Sequence, residues 1–156
     1  MDLVVLIGLP ASGKSSFHRA RYAGTHVHVS KDLLGRAQRK NEKQMRLVED
    51  ALRSGRSVVV DNTNPRRADR APLIEVARRL GATSTGILVT ASIADCLRRN
   101  AAREGKARVP AVAIYLGARK LEAPTRGEGF DEVFEARLAE DGSWSVVPIA
   151  VAPPQT

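Results

Sequence analysis

A chain of 156 residues, 43% hydrophobic and 27% charged, suits one globular domain able to bury about two-thirds of its unfolded surface, which excludes fibrous and disordered classes. Its net charge of +8 and pI near 10.4 favour polyanionic partners such as nucleic acid, although 19 of the 25 basic residues are arginine, a compositional habit that gives the same excess. A single cysteine, Cys96, excludes an internal disulfide and points to a reducing, cytoplasmic setting, and the run of about five apolar residues after Asp2 is too short for a signal peptide or membrane span.

The first strand-like run, Leu3–Ile7, leads directly into Gly8-Leu9-Pro10-Ala11-Ser12-Gly13-Lys14-Ser15, which fits G-x-x-x-x-G-K-[ST] at every fixed position. Backbone N–H groups that wrap a polyphosphate need glycine where a side chain would block approach or φ is positive. Lys14 supplies a point charge for the β- and γ-phosphates and Ser15 a hydroxyl for Mg²⁺. The helix expected over Lys14–Arg21 turns its positive end toward the anion. ATP contacts are therefore expected along the whole loop: Gly8, Pro10, Ala11, Ser12 and Gly13, then Lys14, Ser15 and Ser16.

A second run, His26–Val29, precedes Ser30-Lys31-Asp32 and a helical pattern over Leu33–Ser54, with Gly55 as its C-terminal cap. A third, Ser57–Val60, precedes Asp61-Asn62-Thr63-Asn64. Asn64-Pro65 reads as a cap and first-turn proline for a helix over Pro65–Leu80 that ends at Gly81. Thr85–Val89 follows, then helices over Ala94–Arg103 and Pro110–Leu121. Phe130–Leu138 and Ser145–Val151, separated by Asp141-Gly142, read as a β-hairpin at the sheet edge, before a tail over 152–156. Alternating strands and helices predict an α/β fold, a parallel sheet with helices on both faces. The expected division is a core of residues 1–93 and 122–151 with a lid region over 94–121. Tyr22, Tyr115 and Trp144 are expected to pack in the core or at its edge. Cys96 reads as a packed thiol, and the three histidines show no metal-ligand spacing.

In open parallel sheets ligands gather at the carboxyl ends of the strands, so the residues just after each strand carry the chemistry. Asp61 stands where phosphate-loop enzymes hold Mg²⁺ directly or through water, with helix capping as the competing role. Asp32 is open to two roles, capping the next helix or accepting the proton of an attacking hydroxyl. Arg99 and Arg103 lie in a basic helix end followed by the Gly105 loop, either a phosphate-clamping lid or a solvated surface.

Together these segments resemble the kinase domain of polynucleotide 5′-hydroxyl kinases, phage and animal. The carriers are Gly8–Ser15, His28–Asp32 with Leu34-Gly35, Asp61–Pro65, Arg99-Asn100 with Arg103, Val109-Pro110, and Glu122–Thr125 with Glu128-Gly129-Phe130. Asp61–Pro65 and Glu122–Thr125 look most like the animal version. The resemblance implies a P-loop NTPase fold of the adenylate-kinase type with a helical lid, and transfer of the γ-phosphate of ATP to the 5′-hydroxyl of a DNA or RNA end. It implies Asp32 as general base, Lys14 and Ser15 as phosphate and Mg²⁺ groups, and Arg103 as the lid arginine. Asp32, Arg36, Thr63 and Asn64 fall on the acceptor side. Two departures stand out: Gly35 occupies the place of a phage arginine, leaving Arg36, Arg39 or a group elsewhere for the acceptor phosphate, and Ala11 replaces a glycine of the loop. Nothing in the chain resembles the phosphatase or phosphopeptide-binding domains of the animal enzyme, so removal of a 3′-phosphate is not expected.

Two rival readings share these residues. A small-molecule kinase of the same architecture would act on a nucleoside, sugar or antibiotic hydroxyl in a closed pocket. A nucleotide-binding switch without transfer chemistry would need neither Asp32 nor a basic lid.

Overall fold

The computed structural model describes residues 1–150. A six-stranded sheet is built from β1 (Asp2–Ile7), β2 (Val27–Val29), β3 (Val58–Asp61), β4 (Thr83–Thr90), β5 (Glu132–Leu138) and β6 (Trp144–Pro148), in the order β2-β3-β1-β4-β5-β6. All neighbours are parallel except β5 and β6, which form the expected edge hairpin. Five helices complete the fold: α1 (Lys14–Arg21), α2 (Lys40–Arg53), α3 (Arg67–Arg79), α4 (Ile93–Ala101) and α5 (Ala111–Lys120). Among the described residues no helix is long and apolar enough to cross a membrane. The expected tail over 152–156, with Val151, lies outside the described residues.

The strands are apolar on both faces because both faces are covered, as a parallel sheet requires. Alternate residues of β1 point to opposite sides. Leu3, Val5 and Ile7 enter a core with Val48 and Leu52 of α2 and Leu73 and Ala77 of α3. Val4 and Leu6 enter a second core with Phe17 of α1, Ile87, Val89 and Ala136. A third cluster joins Leu9 and Ala11 of the glycine-rich loop to Cys96 of α4 and Ile114 of α5. Each such buried aliphatic side chain contributes about 1.5–3 kcal/mol of transfer free energy. Cys96 is fully buried, and burial pushes its thiol above the usual range, so it is the packed group the sequence suggested.

Two helical expectations are corrected. The pattern over Leu33–Ser54 breaks into a 3₁₀ turn (Lys31–Leu34) and α2, because Gly35 and Arg39 adopt left-handed φ of 58° and 55°, through which a right-handed helix cannot run. The helix expected from Pro65 begins two residues later. Asp69 caps it by accepting from the Arg66 N–H at 3.0 Å, while Asn64 turns to φ 43° and faces elsewhere. Gly55 and Gly81 do stand just past their helices at φ 81° and 73°. The N–H groups of Arg56 and Ala82 reach back to Ala51 and Ala77 and close both C-termini in Schellman fashion.

Strand order positions the site. Because β2, β3 and β1 are adjacent and run parallel, their carboxyl ends share one edge, with Leu6 in register with Asp61. The loop after β1 and the segments after β2 and β3 therefore meet where the direction of chain progression reverses.

Candidate active site

The loop from Gly8 to Gly13 turns the chain from β1 into α1. Gly8 has no room for a side chain, since a Cβ would meet Ser12 Oγ and the Val89 carbonyl oxygen at 2.8 Å. Gly13 caps α1 at φ 105°, a conformation open to glycine. Ala11 holds φ 63°, the left-handed region that costs a side-chain-bearing residue roughly 1–2 kcal/mol and that glycine adopts freely.

Lys14 folds back over this loop. Its ammonium donates to the Leu9 carbonyl at 2.7 Å and the Gly8 carbonyl at 3.2 Å. Burial pushes its pKa from 10.5 down to about 8, although the negative charges of Asp61 and Asp32 work in the opposite direction. Ser15 Oγ donates to Asp61 Oδ2 at 3.1 Å, so the loop hydroxyl and the strand-end carboxylate are directly paired. Ser16 is exposed and accepts from Arg19.

Asp61 is 6% exposed, and the same Oδ2 also lies 3.0 Å from His28 Nε2, which donates to it in the Nε2–H tautomer. The His28 ring stacks on His18 with centroids 3.9 Å apart. Burial and then the neighbouring His28 hold His18 below the usual imidazole range, favouring its neutral form. Nothing in the residue spacing signals this pairing, since a His and an Asp 33 residues apart match no ligand pattern.

Asp32 sits in the 3₁₀ turn, and the cap there is Ser30, whose Oγ accepts from the Asp32 N–H at 3.2 Å. The capping role is thereby filled. The Asp32 side chain is exposed and has no hydrogen-bond or ion-pair partner among the described residues. The turn is pinned from outside by Asn62, whose Oδ1 accepts from the Lys31 N–H at 2.9 Å while its Nδ2 donates to buried Gln44 Oε1 at 2.6 Å. Neither Asn62 nor Gln44 stood out in the sequence as a positioning group.

Other expected contacts divide. Thr63 is half-buried, and its carbonyl accepts from the Gly8 N–H at 3.0 Å. Asn64, expected on the acceptor side, is 6% exposed, and its amide donates to the Leu6 carbonyl at 2.9 Å, tying the loop after β3 to β1. Arg36 is exposed on the loop before α2. Arg99 donates to the Ser12 carbonyl at 3.1 Å, fixing α4 to the loop. Arg103 lies beyond the end of α4, with a long contact of 3.4 Å to the Ala107 carbonyl. Asn100 closes the loop between α4 and α5 by exchanging two hydrogen bonds with the Val109 backbone, at 2.7 and 3.0 Å.

Of the aromatic residues, Tyr22 packs edge-on against Phe17 at 5.9 Å, and Trp144 does so at 5.0 Å. Tyr115 departs from expectation, with half its surface exposed on α5.

The sheet order, the glycine-rich loop between β1 and α1, and the Ser15–Asp61 pair define a P-loop kinase fold, a fold that binds nucleotides. Residues 3–124 match the family described as AAA domain (AAA_33), and the chain belongs to that family. A bifunctional polynucleotide phosphatase/kinase of Schizosaccharomyces pombe is 28% identical over 138 residues, covering 86% of this chain and 33% of its own. A relative from Acanthamoeba polyphaga mimivirus is 24% identical over 156 residues, covering 92% and 36%. The chain thus spans about a third of the length of these curated relatives. Among solved structures, Chaetomium thermophilum Kti12 in complex with ADP-AlF3 aligns with TM-score 0.68 at 17% identity, covering 90% of this chain and 92% of that one. A gluconokinase from Sinorhizobium meliloti 1021 aligns with TM-score 0.62 at 21% identity, covering 89% and 83%. At such identities these two likenesses speak to the fold alone.

Proposed function

We propose that this chain transfers the γ-phosphate of ATP to the 5′-hydroxyl end of a DNA or RNA strand. The reading is carried above all by one exposed carboxylate with no partner among the described residues, Asp32, on the same sheet edge as Lys14 and the Ser15–Asp61 pair. Supporting it are the resemblance of the motifs, the yeast relative named a polynucleotide phosphatase/kinase, and a net charge of +8 suited to a polyanionic acceptor.

In this reading Asp32 accepts the proton of the 5′-hydroxyl as its oxygen bonds to the γ-phosphorus, and the bond to the bridging β–γ oxygen breaks to release ADP. Lys14 moves from the Gly8 and Leu9 carbonyls onto the phosphates, and backbone N–H groups from Ser12 to Ser16 line the anion's approach. Ser15 and Asp61 offer two hard oxygen donors that suit Mg²⁺, which would neutralise charge on the β- and γ-phosphates. Arg103, beside the cleft and acting on Lys14 through its charge, is the arginine free to reach the transferred group, whereas Arg99 braces the loop.

The test is incubation with labelled ATP and a panel of acceptors: 5′-hydroxyl DNA, 5′-hydroxyl RNA, nucleosides and sugars. Label on strand ends, with an acceptor KM that rises steeply between low and moderate salt, is the expected result. An aromatic content of only 4%, which offers little base stacking, favours the competing small-molecule acceptor. Label on a nucleoside or sugar alone, with a salt-insensitive KM, would establish that reading instead.

A further inference from the structure

Helix α5 carries Val112, Tyr115 and Leu116 at 58%, 50% and 45% exposure. Their spacing of three and four residues gathers them on one face, and the exposed Arg119 and Lys120 extend it by a turn. Between residues 105 and 121 the chain holds four cations, Lys106, Arg108, Arg119 and Lys120, and no Asp or Glu. None of the four forms an ion pair among the described residues. The face is therefore both apolar and unneutralised.

Its inner side adjoins the site. Gly117 packs on the glycine-rich loop so closely that a Cβ there would sit 3.4 Å from Leu9 and 3.5 Å from Pro10. A cavity of about 250 Å³ opens between the helix and the loop, lined by Gly8, Pro10 and Thr63 on one wall and Leu116 and Lys120 on the other. Leu116 and Lys120 belong both to this cavity and to the exposed face, so one surface runs from the loop onto the outside of α5.

We propose that this face of α5 is the track of the acceptor strand beyond its terminal nucleotide: a base of single-stranded nucleic acid stacks on Tyr115, and its phosphates meet Arg119 and Lys120. The proposal rests on the polynucleotide reading above and extends it past the reacting end. A single strand brings flat π faces and a negative charge on every nucleotide, the two features this surface complements. A protein partner docking through Val112 and Leu116 alone would leave Arg119 and Lys120 without counter-charges at its edge.

The experiment compares Tyr115→Ala, Tyr115→Phe and the unaltered chain on a short 5′-hydroxyl oligonucleotide and on a nucleoside 3′-monophosphate, which has the same reacting hydroxyl but no strand beyond it. Tyr115→Ala raises the oligonucleotide KM about tenfold, the scale of one lost base stack, with kcat and thermal midpoint unchanged. Tyr115→Phe keeps the ring and restores the KM, and neither variant changes the constants for the monophosphate. An equal KM for Tyr115→Ala and the unaltered chain on an oligonucleotide that both phosphorylate overturns the track alone. If the unaltered chain phosphorylates no 5′-hydroxyl oligonucleotide, the underlying reading falls and the track with it.

Discussion

Asn62 Oδ1 accepts the Lys31 backbone N–H at 2.9 Å, so the residue after the strand-end carboxylate Asp61 holds the turn that carries Asp32. The two acidic groups of the cleft are thereby fixed to one another through adjacent residues of β3 and its loop. Behind Asn62, the Gln44 side chain accepts from its amide at 2.6 Å and locks its orientation. Asn62→Leu should remove both hydrogen bonds and loosen the turn. Displacements of about 1 Å at a reacting group cost up to 10²-fold in rate, so kcat should fall by about tenfold or more with the KM for ATP unchanged. Asn62→Asp keeps the acceptor for Lys31 and should retain most of the rate. Steady-state kinetics of the two variants decide the matter, and equal kcat for Asn62→Leu and the unaltered chain would count against the linkage.

Asp32→Ala should leave ATP affinity nearly unchanged, because the loop contacts involve Lys14, Ser15 and the backbone. Phosphate transfer should drop by about 10²-fold or more, the usual loss when a general base is removed. Calorimetry for ATP and a transfer assay on the same preparation separate the two effects. Unimpaired transfer would take Asp32 out of the mechanism.

Lys14 gives a pH signature. Its pKa in the nucleotide-free chain is about 8 against an ordinary 10.5. Below pH 8 the ammonium is charged in both folded and unfolded chains, and its burial opposes folding. Between about 8 and 10.5 the folded chain sheds its proton while the unfolded chain keeps it, so stability from this group rises with pH across that window. Bound phosphates favour the ammonium and raise its pKa, so binding above pH 8 takes up a proton. ATP affinity should be flat with respect to Lys14 below pH 8 and fall above it. Titration calorimetry just above pH 8, in buffers of different ionisation enthalpy, should record the uptake, and Lys14→Met should abolish it.

Arg70 is fully buried and pairs with Glu128 through two hydrogen bonds of 2.7 and 2.9 Å, while also donating to the carbonyls of Asn64 and Glu122 at 3.0 Å. One guanidinium thus joins the loop after β3 to the segment before β5. Glu128→Ala should destabilise the chain by about 3 kcal/mol or more, because it leaves a buried charge without its counter-ion. Denaturant unfolding measures this, and Arg70→Met combined with Glu128→Leu should recover a large part of the loss.

The sequence alone determined the parts whose physics is local. The Gly8–Ser15 loop follows from backbone conformations that only certain residues adopt, and the ends of α2 and α3 follow from Gly55 and Gly81. The strands announced themselves as apolar runs, since a sheet covered on both faces needs no alternation. Three-dimensional structure decided the rest. Gly35 and Arg39 broke the helix expected over Leu33–Ser54. Ser15 meets Asp61 across 46 residues, Asn62 meets Lys31 across 31, and Arg70 meets Glu128 across 58. The first two pairs depend on β3 lying between β1 and β2 and the third on α3 reaching the segment before β5, and the spacing of residues along a chain carries no record of which elements become neighbours. The exposure of Tyr115 is of the same kind, because the packing of α5 on Leu9 and Pro10 settles which side of that helix is covered.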